Sequence, residues 1–147
     1  MSESTEEFAE HLEALSVSYG TELSEPLMDC RTVILAGVAE NFAGSHSSTG
    51  YGWPLRKDNK PHPLLILTGE LEEAATGGAG SITRVVDGVS LEVGVDASGG
   101  ESGRPWAALH QEGGTKMPPR PFMGFSDEVQ DACEAVLTEW AIEEFCR

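Results

Sequence analysis

Apolar positions recur at helical spacing in three stretches of the chain. The clearest runs through Leu23, Leu27, Cys30, Ile34, Val38 and Phe42, at steps of four, three, four, four and four residues. Such a stripe covers one helix face, so a helix is expected from an N-cap at Ser24 to Gly44, with Pro26 tolerated in its first turn. Cys30 lies on that face as a small core residue. Phe8, Leu12 and Leu15 predict a shorter helix over residues 5–15, with Ser4 and Glu7 as a capping box and a break at 17–20. The third stripe, Val129, Ala132, Cys133, Val136, Leu137, Trp140 and Ala141, predicts a last helix from the N-cap Ser126 to about Phe145. Asp127 and Glu128 suit the positive end of its dipole, and the apolar stripe is expected to pack on a sheet.

Between these helices the period falls to two. Val89, Leu91, Val93 and Val95 alternate with Ser90, Glu92 and Gly94, and Ile82, Arg84 and Val86 precede them across Asp87-Gly88, a strong two-residue hairpin signal. A brief helix is expected after Gly69, and a helical turn or strand over 105–110. Residues 44–63 and 96–104 are rich in Gly and Ser and show no period, so they read as long loops. Pro118, Pro119 and Pro121 each fix φ at about −65° and push the preceding residue toward extended backbone. They make a rigid strap around Arg120, anchored by Phe122 and Phe125, with 122–125 a candidate further strand at a sheet edge. The fold class this predicts is α+β: an antiparallel sheet of 81–95 plus the strap, packed against a long helix in the amino-terminal half and a carboxy-terminal helix. One domain spans residues 1–147, with an acidic arm and short helix over 1–22 and an extended loop over 44–63.

Charge changes the functional picture more than length does. The formal net charge is −16. Such a chain repels duplex nucleic acid, which argues against a sequence-reading or sliding DNA binder. An acidic pore that DNA traverses without sticking, and an acidic mimic of DNA that competes for a basic protein, both stay open. Asp131, Glu134, Glu139, Glu143 and Glu144 put an acidic face on the last helix with almost no basic relief. Arg56, Lys57 and Lys60, three of nine basic residues, sit in the 44–63 loop beside Tyr51, Trp53 and Leu55. That loop either docks on an acidic face of a second copy or is a solvated surface excursion. No run of about 18 apolar residues predicts a membrane span, and the acidic amino terminus does not look like a secretory signal. Cys30, Cys133 and Cys146 are an odd, widely spaced set, read as reduced thiols of a protein made in the cytosol.

Candidate chemistry is sparse. His11, His46, His62 and His110 have no short spacing to one another or to cysteine, so no metal site is expected. Gly77-Gly78-Ala79-Gly80-Ser81 lacks the Gly-Lys-Ser/Thr ending of a phosphate loop. No Gly-x-Ser-x-Gly elbow is present, and Cys133 lies on an apolar stripe. His110-Gln111-Glu112 is the one polar cluster of interest. Stabilising the turn outranks acid/base work by His110 and Glu112 as its role. Arg120 could clamp a carboxylate across a subunit interface, or pin its own chain; an arginine bounded by prolines favours the pin. No catalytic residue, cofactor or metal is expected.

Three blocks also carry a family resemblance. Gln111-Glu112-Gly113, Pro119-Arg120-Pro121-Phe122-Met123-Gly124 and Ser126-Asp127-Glu128 form a closing block. Upstream stand Asn41-Phe42 with Gly52-Trp53-Pro54-Leu55, and Ile66-Leu67-Thr68-Gly69-Glu70-Leu71. Together they resemble the phage virion-morphogenesis family, comprising Mu-like morphogenesis proteins and the tail-completion (neck) proteins of siphophages. Glu112 stands where that family usually has an aromatic residue, and Pro119 where it has alanine. The resemblance implies a non-enzymatic virion protein, assembled in the host cytoplasm. It would form a ring, commonly a hexamer, at the head-proximal end of the tail. Its neighbours would be tail-tube or tail-terminator and head-connector proteins, with DNA passing through the lumen unbound. Trp53, Arg56, Lys57, Lys60, Arg120, Phe122, Glu139 and Glu143 are the candidate subunit and partner contacts.

Overall fold

A computed structural model describes residues 5–19, 23–58, 64–65, 69–96 and 106–146. The architecture is α+β. Helices α1 (Thr5–Tyr19), α2 (Ser24–Gly44) and α3 (Glu70–Ala75) precede a hairpin of β1 (Ser81–Val86) and β2 (Ser90–Val95). Helices α4 (Trp106–Glu112) and α5 (Asp127–Phe145) follow.

Helix α2 is the axis of the molecule. All six stripe residues from Leu23 to Phe42 are buried, and Pro26, Leu35 and Asn41 join them. Its start differs from expectation: Leu23 holds the N-cap position with no side-chain cap bond, so Ser24 is not the cap. Instead the Leu23 N–H donates to Gly88 O at 2.9 Å, so the hairpin turn satisfies this end of the helix. Its far end closes through Ser45, in the left-handed region at φ 52° with its N–H directed to Asn41 and Phe42 carbonyls. Helix α1 continues to Tyr19, past the expected break, while the Ser4 capping position lies outside the described residues. At α5 the expected cap is present: the Val129 N–H donates to Ser126 Oγ at 3.1 Å.

The hairpin forms where the alternation places it, with its register shifted by one residue. Asp87 and Gly88 adopt positive φ, as a primed turn needs, but Val86 pairs with Ser90, leaving Val89 as an extra loop residue. A one-residue slip exchanges the faces of one strand relative to the other. Ser81, Thr83 and Val85 therefore share a face with Leu91, Val93 and Val95, while Ile82 and Arg84 face outward with Glu92. Arg84 and Glu92 pair on that outer face. Val89, freed from the strand, packs with Val85 and Leu91 against the α2–α5 contact.

Two apolar clusters result. One holds Leu23, Leu27, Cys30 and Leu137, with Cys133, Val136 and Trp140 at its margin. The other holds Val38, Phe42, Trp53, Leu71, Ala75, Ala107 and Phe122. Helix α5 packs chiefly along α2 and meets the hairpin through Leu137, against which Val85, Val89 and Leu91 gather. A cause is visible at Gly37, where an added Cβ would sit 2.6 Å from Val129 Cγ2, so the helices close to a distance that only glycine permits. The strap adds no strand: among the described residues the sheet has two strands.

Candidate functional site: the pinned strap and the surfaces beside it

Residues 113–125 have prolines at three positions and no strand neighbour, yet their backbone groups must still find partners. The side chain of Gln111, just before the strap, and those of the distant Asn41 and Trp53 supply them. Gln111 does most: its Oε1 accepts from Phe122 N at 2.9 Å and Met123 N at 3.0 Å, and its Nε2 donates to Met123 O at 2.9 Å. One amide thus does the work of a neighbouring strand. Asn41, 3% exposed, donates through Nδ2 to Phe122 O at 3.0 Å and to Ser48 Oγ at 3.0 Å. The Trp53 indole N–H donates to Pro121 O at 2.8 Å. The Arg120 N–H donates to His110 O at 2.7 Å.

Gly113 makes the reversal into the strap. It has φ 81°, and a Cβ there would meet Pro119 N at 2.9 Å and Met117 O at 3.1 Å. Both the left-handed backbone and the close approach require glycine. The chain then turns through the Gly114–Met117 bridge and runs back past α4.

Packing reinforces the hydrogen bonds. Phe42 meets Trp53 edge-on at 5.6 Å and 83°, and Phe122 at 5.6 Å and 47°. Burying three such rings contributes about 2–3 kcal/mol each, with roughly 1 kcal/mol more per aromatic pair. Trp53 and Phe122 are 4% and 2% exposed, which corrects their selection as contact residues: they form this chain's own core. The described part of the loop is folded back on the core. Residues 46–52 form a compact turn closed by a His46–Gly52 bridge, and Trp53 N donates to Ser45 O at 2.8 Å.

Arg120 is an intramolecular pin. Its Nε donates to Pro54 O at 2.9 Å and its Nη2 reaches Leu55 O at 3.5 Å. Those carbonyls immediately precede Arg56 and Lys57, so the strap also fixes where the basic segment leaves the core. Arg56 is half-buried and Lys57 exposed; Lys60 lies outside the described residues. Burial, and secondarily the Arg120 charge, pull the His110 pKa below its ordinary value.

On α5, Asp131, Glu139, Glu143 and Glu144 are exposed and Glu134 is half-buried. Ile142 stands among them at 57% exposure, giving the acidic face an apolar centre. A half-open cleft lies between α2, the 46–50 turn and the start of α5, lined by Glu40, Asn41, His46, Ser48, Phe125, Asp127 and Glu128 among others. Among the described residues no three His, Cys, Asp or Glu side chains group closely enough to hold a metal ion. No helix among them is long and apolar enough to cross a membrane.

The sequence pointed to Trp53 and Phe122 as surface contacts and to Arg120 as a pin and candidate contact, but not to Asn41 and Gln111 as the groups that hold the strap. The signal was present. A proline-rich segment without a ladder must take its hydrogen bonds from side chains, and amides can both donate and accept. No family model, curated protein or solved structure matches the chain.

Proposed function

We propose that the chain is a structural virion protein that assembles as a ring at the head-proximal end of a phage-type tail and joins the tail to the head connector. The observation that carries this reading is the convergence of the resembling blocks. Asn41-Phe42, Trp53-Pro54-Leu55 and Gln111 to Met123, widely separated in sequence, bond to one another at the strap. Those blocks therefore serve a shared architecture, and their residues hold backbone in place with no reacting group among them.

Ring closure requires two different complementary patches on each copy. The Arg56-Lys57 segment, aimed by Arg120, and the acidic α5 face with Glu139 and Glu143 are that pair. Opposite charges at such a rim steer association and fix register. The net charge of −16 suits a lumen through which DNA slides without adhering.

Particle composition and morphology test the reading. The protein should be present in purified particles, and cells lacking it should accumulate filled heads beside free tails. Joined, infectious particles made without it would sink the idea. Stoichiometric capture of a basic enzyme, with the protein missing from particles, would instead favour the acidic DNA mimic.

A further inference from the structure

The α2–α5 seam brings together two cysteines 103 residues apart. Cys30 Sγ lies 3.7 Å from the Cys133 carbonyl oxygen, and Cys133 Sγ lies 3.9 Å from the Cys30 carbonyl oxygen. Each sulfur thus reaches the other residue's backbone. Disulfides need Cα atoms about 4.4–6.8 Å apart, a separation reached only where two helices are closely packed. Gly37 and Val129, one to two helical turns away, meet on the same seam, so the two helices are closely packed there. Sequence spacing could not show the pair, because only tertiary packing of α2 on α5 creates it.

We infer that Cys30 and Cys133 are a redox modification site, which a small-molecule disulfide oxidises to an inter-helix disulfide stapling α2 to α5. This rests on the seam alone and not on the neck reading. The two thiols are unequal. Cys133 is half-buried and its pKa is lowered by hydrogen bonding from Cys30; that same contact, with burial, raises the Cys30 pKa. Cys133 is the attacking group, because an external disulfide can reach its half-exposed sulfur while Cys30 is 3% exposed, and the thiolate is the nucleophile in exchange.

Its thiolate attacks one sulfur of the external disulfide, forming a mixed disulfide and releasing one small thiolate. Cys30 then attacks the Cys133 sulfur; the second small thiolate departs and takes up the Cys30 proton. Two protein thiols are oxidised, one external S–S bond is reduced, and two small thiols leave. The protein disulfide closes a loop of about 100 residues, the range in which cross-links restrict the unfolded chain most. The seam would stay unlinked in a reducing compartment and be locked in an oxidising one.

The test uses the full chain with Cys146→Ser, which removes the exposed third thiol. The folded protein is incubated with oxidised glutathione, quenched in acid, and weighed intact before peptide mapping. The expected product is monomeric, lighter by two hydrogen atoms, and yields one linked peptide pair joining Cys30 to Cys133. Its Tm should rise by on the order of 10 °C and return on reduction. Two titratable thiols remaining after oxidation, a stable glutathione adduct at Cys133, or chains linked to each other would each overturn the inference. A second variant, Cys133→Ser, should leave Cys30 unreactive; an equally fast Cys30 adduct would contradict the assigned order of attack.

Discussion

Gln111→Ala probes the strap most sharply, because one side chain satisfies three backbone groups. The substitution removes the acceptor for Phe122 N and Met123 N and the donor to Met123 O. A buried polar group left without a partner costs about 1–3 kcal/mol, and one that recovers water costs less. The site is half-buried, so some of the three groups will be rewetted. The net loss is then about 2–4 kcal/mol. With an unfolding entropy of about 2.1 cal/mol/K per residue, the chain's 147 residues convert this into a Tm lower by roughly 6–13 °C. Differential scanning calorimetry, with urea melts at constant m-value, reads it directly. Glu112→Ala is the matched control: its neighbour is exposed and should move Tm by under about 2 °C. Gln111→Met, which keeps volume but no hydrogen bonds, should fall with Gln111→Ala. If both variants melted within about 2 °C of the parent, the strap would not be held by this amide.

Other predictions follow from the same geometry. Asn41→Ala should lose about 1–3 kcal/mol in urea titration, since Phe122 O would lose a buried donor. Gly37→Ala should destabilise by about 1 kcal/mol, because crowding against Val129 outweighs the helix-propensity gain; in a Val129→Ala background the same change should become stabilising. A lowered His110 pKa means the unfolded chain binds its proton more readily. Its contribution is therefore fully present above the unfolded pKa of about 6.5 and is lost as pH falls from there toward the folded value. His110→Asn should flatten that part of the stability–pH curve, as followed by thermal melts.

What the sequence revealed tracks what is local. The α2 stripe, the Ser126 cap of α5 and the Asp87-Gly88 turn are set by residues within a few positions of one another, and each was legible. The hairpin register was not, because Val89 leaves the strand to pack on Cys133 and Leu137's cluster, a tertiary gain that outweighs the simplest two-residue loop. Trp53 and Phe122 read as exposed contacts because their flanks carry no period. Only the closure of the strap over Phe42 shows them as core. Arg120 was legible as a pin from its proline neighbours, while the carbonyls it holds, 65 and 66 residues away, were not.

The central claim is that each copy carries two complementary charged patches that join it to the next, and charge exchange measured by native mass spectrometry tests it most directly. The parent protein, alone or mixed with purified phage tail or connector proteins, should form a closed ring whose mass is a fixed multiple of one chain. Glu139→Lys with Glu143→Lys should leave the fold and Tm intact but break the ring, as should Arg56→Glu with Lys57→Glu; mixing the two variants should restore subunit contacts across the swapped pairs. A protein that stays monomeric under all these conditions, or a ring indifferent to both reversals, would contradict the account.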